Sequence, residues 1–140
     1  MKAEVAAWTA KADGDFFDAQ RGIRARKNPN YDGVCFHSQQ CIEKYLKARL
    51  IEGGIDFPKT HDLARLLDLL ADAEPSWQAW RPVLDVLTDY AVGFRYPEEN
   101  ATQEEAKRAF KICQGLRTQI RSGLGLRNGE NAAKRPRKRK

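Results

Sequence analysis

Apolar residues recur at helical spacing in five stretches of this chain, and nowhere do they alternate as in a strand. The densest stretch runs from Asp32 to Gly53. There Val34, Cys41, Tyr45, Ala48 and Ile51 form one stripe, and Phe36, Ile42, Leu46 and Leu50 widen it most of the way round. A helix wrapped so broadly belongs in the middle of a bundle. A second row crosses it: His37, Gln40, Lys44 and Lys47, three and four apart and therefore on one side. Such a row either faces water or lines a polar cleft between packed elements.

The other segments fit around this helix. Val5, Trp8, Ala12, Phe16, Ala19 and Ile23 predict a first helix over 3–26, with Asp13, Asp15 and Asp18 on its outer side. Pro29 between two asparagines turns the chain, and Asp32 is placed to cap the central helix. Gly53 and Gly54 stop it. Thr60 or Asp62 can start a third helix over 63–73, which carries Leu63, Leu66, Leu67 and Leu70 and ends at Pro75. A short helical turn around Trp77 and Trp80 leads into a fourth helix, from Pro82 to Val92. Thr102 with Glu105 three residues on makes a capping box for the last helix, whose stripe is Ala106, Phe110, Cys113, Leu116 and Ile120. The pattern predicts an all-α fold: an up-and-down antiparallel bundle of four to five helices over 1–126, then a disordered basic tail over 127–140.

Composition refines this picture. At 140 residues one domain is expected. No apolar run is long enough to span a membrane, and the N-terminus lacks a secretory pattern. Cys35, Cys41 and Cys113 have no paired spacing, so they read as reduced core residues of a cytoplasmic protein. Two histidines without ligand spacing predict no metal, and no phosphate-cradling glycine loop or cofactor motif is present. The net charge of +6 lies in the tail, in Lys134, Arg135, Arg137, Lys138, Arg139 and Lys140. Without these six, basic and acidic residues are equal in number. The tail therefore reads as a non-specific nucleic-acid contact or a solvated terminus.

Two places combine unusual residues: the polar row, and the exit of the fourth helix at Phe94-Arg95-Tyr96-Pro97. Taken in order, CFHSQQCIEKYLKARL, KTHDLARLL and FRYP give the chain a resemblance to HEPN (higher eukaryotes and prokaryotes nucleotide-binding) domain proteins, in their small stand-alone prokaryotic form, over roughly residues 1–122. The resemblance implies a helical bundle that dimerises and a partner, a minimal nucleotidyltransferase protein, in a two-component, toxin–antitoxin-like system. For some members it implies metal-independent ribonuclease activity, through an arginine followed four to six residues later by a histidine. Arg95 holds the arginine position, but no histidine follows it, and Asn100 stands five residues on. Asparagine cannot shuttle a proton near neutral pH. The expectation is therefore a binding protein whose polar cleft, built from His37, Gln40, Lys44, Arg95 and Tyr96, meets a nucleotide or RNA phosphate. A ribonuclease toxin and an RNA-binding module acting through the tail are the alternatives. His37 also has a plainer reading, as a histidine hydrogen-bonded within the bundle, and His61 reads as a loop or capping residue.

Overall fold

A computed structural model describes residues 2–92 and 97–126. It contains α1 (Ala3–Arg24), α2 (Tyr31–Glu52), α3 (Leu63–Leu69), a 3-10 turn (Pro75–Trp80), α4 (Arg81–Val92) and α5 (Gln103–Gly123). No strand occurs among the described residues. The fold is the all-α bundle that the apolar periodicity predicts.

Side-chain pairs give the helix directions. Lys2 Nζ donates to the Ile51 carbonyl near one end of the α1–α2 pair, and a Cβ on Gly22 would stand 2.7 Å from Val34 Cγ2 near the other, so the two helices run antiparallel. Asp32 meets the Ala101 amide, and Tyr45 meets Arg121, so α2 and α5 run parallel. Tyr90 of α4 meets Arg108 of α5, the end of one against the start of the next. Four long helices thus run up, down, up, down, with α3 and the 3-10 turn inserted between α2 and α4.

The helix ends have local causes. Thr102 and Glu105 form the predicted capping box, and Asp62 caps α3 through the amides of Ala64 and Arg65. Gly54 at φ +69° closes α2, a conformation costly for a residue with a Cβ. The expected cap of α2 is corrected: Asn30 accepts from the Gly33 amide at 2.9 Å. Asp32 instead accepts from the Ala101 amide at 2.6 Å, which ties the start of α2 to the entry of α5. The third helix is shorter than expected, because Leu70 and Ala71 bond back three residues to Leu67 and Asp68 and tighten the chain into turns.

The core is centred on α2, where twelve of 22 residues are buried. Tyr45, Leu46, Ile42 and Leu50 are fully enclosed among Phe16, Leu66, Leu84, Leu87, Leu116 and Ile120. The three cysteines are buried free thiols. Trp77 stacks on Trp80 at 4.7 Å and packs so closely on α5 that a Cβ on Gly123 would lie 2.6 Å from its ring. Two corrections follow from packing. Phe36, expected in the apolar wrap, is 48% exposed. Asp13 and Asp15, expected on the outside of α1, are both buried. Because Leu46 is 0% exposed, Leu46→Ala should cost about 2–5 kcal/mol in denaturant unfolding. A loss well under 1 kcal/mol would place that side chain at the surface.

Candidate functional site

The polar row of α2 faces α1 and the loop before α3, and each member is held by a carboxylate or an amide. His37 Nδ1 lies 2.8 Å from Asp15 Oδ1, and Lys44 Nζ lies 2.5 Å from Asp15 Oδ2. One α1 carboxylate thus clamps two members of the row. An ionised carboxylate only accepts, so Nδ1 of His37 carries the hydrogen that meets Asp15. Asp18, which points outward as expected, approaches the same imidazole at 3.9 Å and binds Arg21.

A second group forms one turn further along α2, around Glu43. Its carboxylate is buried and receives Lys47 Nζ at 2.9 Å, Gln39 Nε2 at 3.2 Å and Gln40 Nε2 at 3.4 Å. His61 Nδ1 lies 3.1 Å from each of its oxygens. Gln39 also donates to the His61 carbonyl, which pins this loop to α2 twice. Lys47 is buried rather than solvated, with its ammonium 5.6 Å from the Trp8 ring and 5.8 Å from the Phe57 ring. Trp8 also borders a surface pocket with Lys11 and Lys44, so the two groups adjoin.

The structure therefore brings His37 and Lys44 together through Asp15, and joins Gln40 to Glu43 instead. Arg95, Tyr96 and the basic tail lie outside the described residues. The sequence reading missed Asp15 and Glu43 as the acids that hold the row. Glu43 had a signal, because it lies four residues from both Gln39 and Lys47 on the same helix. Asp15, Asp18 and His37 place ligand atoms within 4.8 Å of one another, a donor set able to hold a divalent cation. Lys44 and Arg21 already supply positive charge to those two carboxylates.

A third, buried network joins α1, α2 and α5. Asp13 accepts from the Tyr45 hydroxyl and from Arg117 Nε at 3.0 Å, and Arg121 approaches it at 3.6 Å. Arg121 also donates to the Tyr45 oxygen at 3.2 Å, and the Arg117 guanidinium lies 4.3 Å from the Phe16 ring centre. Burial, with the Asp13 charge beside it, pushes the Tyr45 phenol well above its ordinary range. Burial, helped by Glu105 and Asp32, pushes the Cys35 thiol from 9.0 up to about 12. Burial and a hydrogen bond with Cys113 push the Cys41 thiol up as well.

Comparison with known proteins places this arrangement in a family. The HEPN domain model matches residues 5–122, and the chain belongs to the HEPN domain family. A relative in Methanocaldococcus jannaschii, named "Putative toxin MJ1304", is 29% identical over 119 residues, covering 74% of this chain and 78% of that protein. No solved structure gives a significant match. Among the described residues no helix is long and apolar enough to cross a membrane.

The raised thiol and phenol values fix a pH dependence. These groups stay neutral in the folded chain at a pH where the unfolded chain ionises, so the folded state binds more protons. Their contribution is complete below the ordinary thiol value of 9.0 and is lost as pH rises toward about 12. Denaturant midpoints should therefore fall progressively across that window. A flat profile there would show that these groups ionise as readily folded as unfolded.

Proposed function

We propose that this protein is the HEPN component of a two-component, toxin–antitoxin-like pair. In this reading a minimal nucleotidyltransferase protein is its partner, and it forms a homodimer when that partner is absent. In this reading the polar row of α2 receives a nucleotide or RNA phosphate, and Arg95 and Tyr96, which follow α4 in the sequence, complete the contact. The observation that carries the reading is the polar row itself, on the most buried helix of a HEPN chain. His37, Gln40, Lys44 and Lys47 all lie along one side of α2, held in place by Asp15 and Glu43. Polar groups cost free energy to hold against a packed helix, and here they are oriented rather than removed. Asp15 already balances the charge near His37 and Lys44, so recognition of the phosphate charge falls to Arg95 and its fork of donors. The name of the archaeal relative supports the toxin side of the pair.

A second reading, ribonuclease toxin, is favoured by one observation: His37 is oriented through Nδ1 by a buried carboxylate, the arrangement of a general base. It replaces the histidine that the sequence lacks after Arg95.

Binding of a short labelled RNA tests this reading. Arg95→Ala should weaken binding by about 1–3 kcal/mol, the size of a lost charge-assisted hydrogen bond. Deletion of Lys134–Lys140 should remove most of the salt dependence, whose log–log slope is roughly −4 to −5 with six basic residues engaged. Undiminished affinity in the Arg95 variant would contradict the placement of the phosphate. Failure to co-purify with a co-expressed nucleotidyltransferase partner would contradict the pairing.

A further inference from the structure

Near its start α1 carries small residues around one large one, Ala6-Ala7-Trp8, with Ala10 following. Glu4, Ala7, Trp8 and Lys11 are three and four apart, so they share one side of α1 over about 10 Å of its axis. Lys44 of α2 joins them, and together these five side chains line a surface pocket of about 380 Å³. Ala7 is small enough to leave the space, and the half-buried Trp8 ring is the broad apolar wall. The buried Lys47 ammonium stands 5.6 Å from the centre of that ring and helps to hold it in place. Two further ammonium groups border the pocket itself. Lys44 is anchored on Asp15 at 2.5 Å, with 23% of its side chain exposed. Lys11 is exposed, and among the described residues no carboxylate pairs with it.

We propose that this pocket binds a free mononucleotide, with its base flat against Trp8 and its phosphate at Lys11 and Lys44. This goes beyond the phosphate contact assigned to Arg95: it is a second site, adjoining the polar row through Lys44. Each wall selects part of the ligand. The indole favours a planar ring, because stacking on an aromatic side chain suits any base. The charge favours a phosphate. Lys44 already shares its charge with Asp15 and serves as a hydrogen-bond donor, whereas Lys11 brings an ammonium that no acid offsets. An uncharged aromatic ligand would leave both groups unused. Glu4 closes the other end of the α1 wall, where its carboxylate can accept from a base amino group or from ribose hydroxyls. The volume sits at the small end of the range for small-molecule sites, about 300–1,000 Å³. One nucleotide therefore fits, and a dinucleotide does not.

The experiment uses the full chain, with adenosine monophosphate as the probe and adenosine and inorganic phosphate as controls. Binding is followed by calorimetry and by quenching of tryptophan emission. Trp77 and Trp80, stacked on each other, supply a constant background to the Trp8 signal. The wild type should bind adenosine monophosphate with quenching, bind adenosine more weakly, and ignore phosphate alone. Ala7→Leu, at an exposed helical position, should fill the pocket and weaken nucleotide binding roughly five- to a hundredfold with no loss of stability. Trp8→Leu should weaken it by a similar factor and abolish the quenching. Lys11→Glu should cost about fivefold for the nucleotide and leave adenosine unchanged, which separates the phosphate contact from the stacking contact. A wild type that gives neither heat nor quenching with adenosine monophosphate overturns the proposal, and so does an Ala7→Leu variant that binds it like the wild type. If the nucleotide fails to bind while a short RNA still binds in an Arg95-dependent way, this pocket falls and the reading of the polar row stands. If the nucleotide binds and the RNA does not, the pocket stands and that reading falls.

Discussion

The bundle depends on where the carboxylate of Asp13 is placed. It enters the core from α1, where an isolated charge would cost several kcal/mol. It is tolerated because α2 brings the Tyr45 hydroxyl and α5 brings Arg117 and Arg121 to the same point. Three helices must therefore meet in one register for any of them to pack. Apolar stripes are permissive about sliding, since a leucine accepts many neighbours. A buried acid with two guanidinium partners is not permissive. Arg117 also closes over Phe16, so the charged network and the apolar core share a boundary.

The same helix carries the constraint outward. Two residues beyond Asp13, Asp15 turns toward α2 and holds His37 and Lys44. Once Asp13 fixes the rotation of α1, the position of Asp15 follows. Glu43 plays the matching part on α2, gathering Lys47, two glutamines and the loop that bears His61. The polar row is thus held by one acid from α1 and one from α2 itself. The loop that bears His61 is pinned to α2 by the same acid.

Much of the fold was legible in the sequence because it rests on local rules. Periodicity located the helices, the Thr102–Glu105 box opened α5, and the wide apolar wrap made α2 central. The polar row was legible for the same reason, since spacing alone puts His37, Gln40 and Lys44 on one side. What was not legible depended on partners far away in the chain. Asp13 and Asp15 read as outward because a helical stripe ranks each residue by its own polarity. The reason Asp13 is buried stands 104 residues later, in Arg117. A signal did exist: two arginines four apart, adjoining the apolar stripe of α5, call for an acid. Asp32 was misread in the same way, as a local cap, when its partner is the distant Ala101 amide. The His61–Glu43 pair joins a loop to a helix, and no spacing rule reports such a contact.

The dependence of the bundle on Asp13 can be measured directly, by denaturant unfolding of Asp13→Ala, Arg117→Met and the double variant. If Asp13 anchors the three helices, Asp13→Ala should cost about 3–5 kcal/mol, because it strands two buried cations. The double variant should be more stable than the sum of the single losses predicts, with a coupling of roughly 0.5–3 kcal/mol. An Asp13→Ala loss under about 1 kcal/mol, the size of a surface ion pair, with strictly additive effects, would contradict the account.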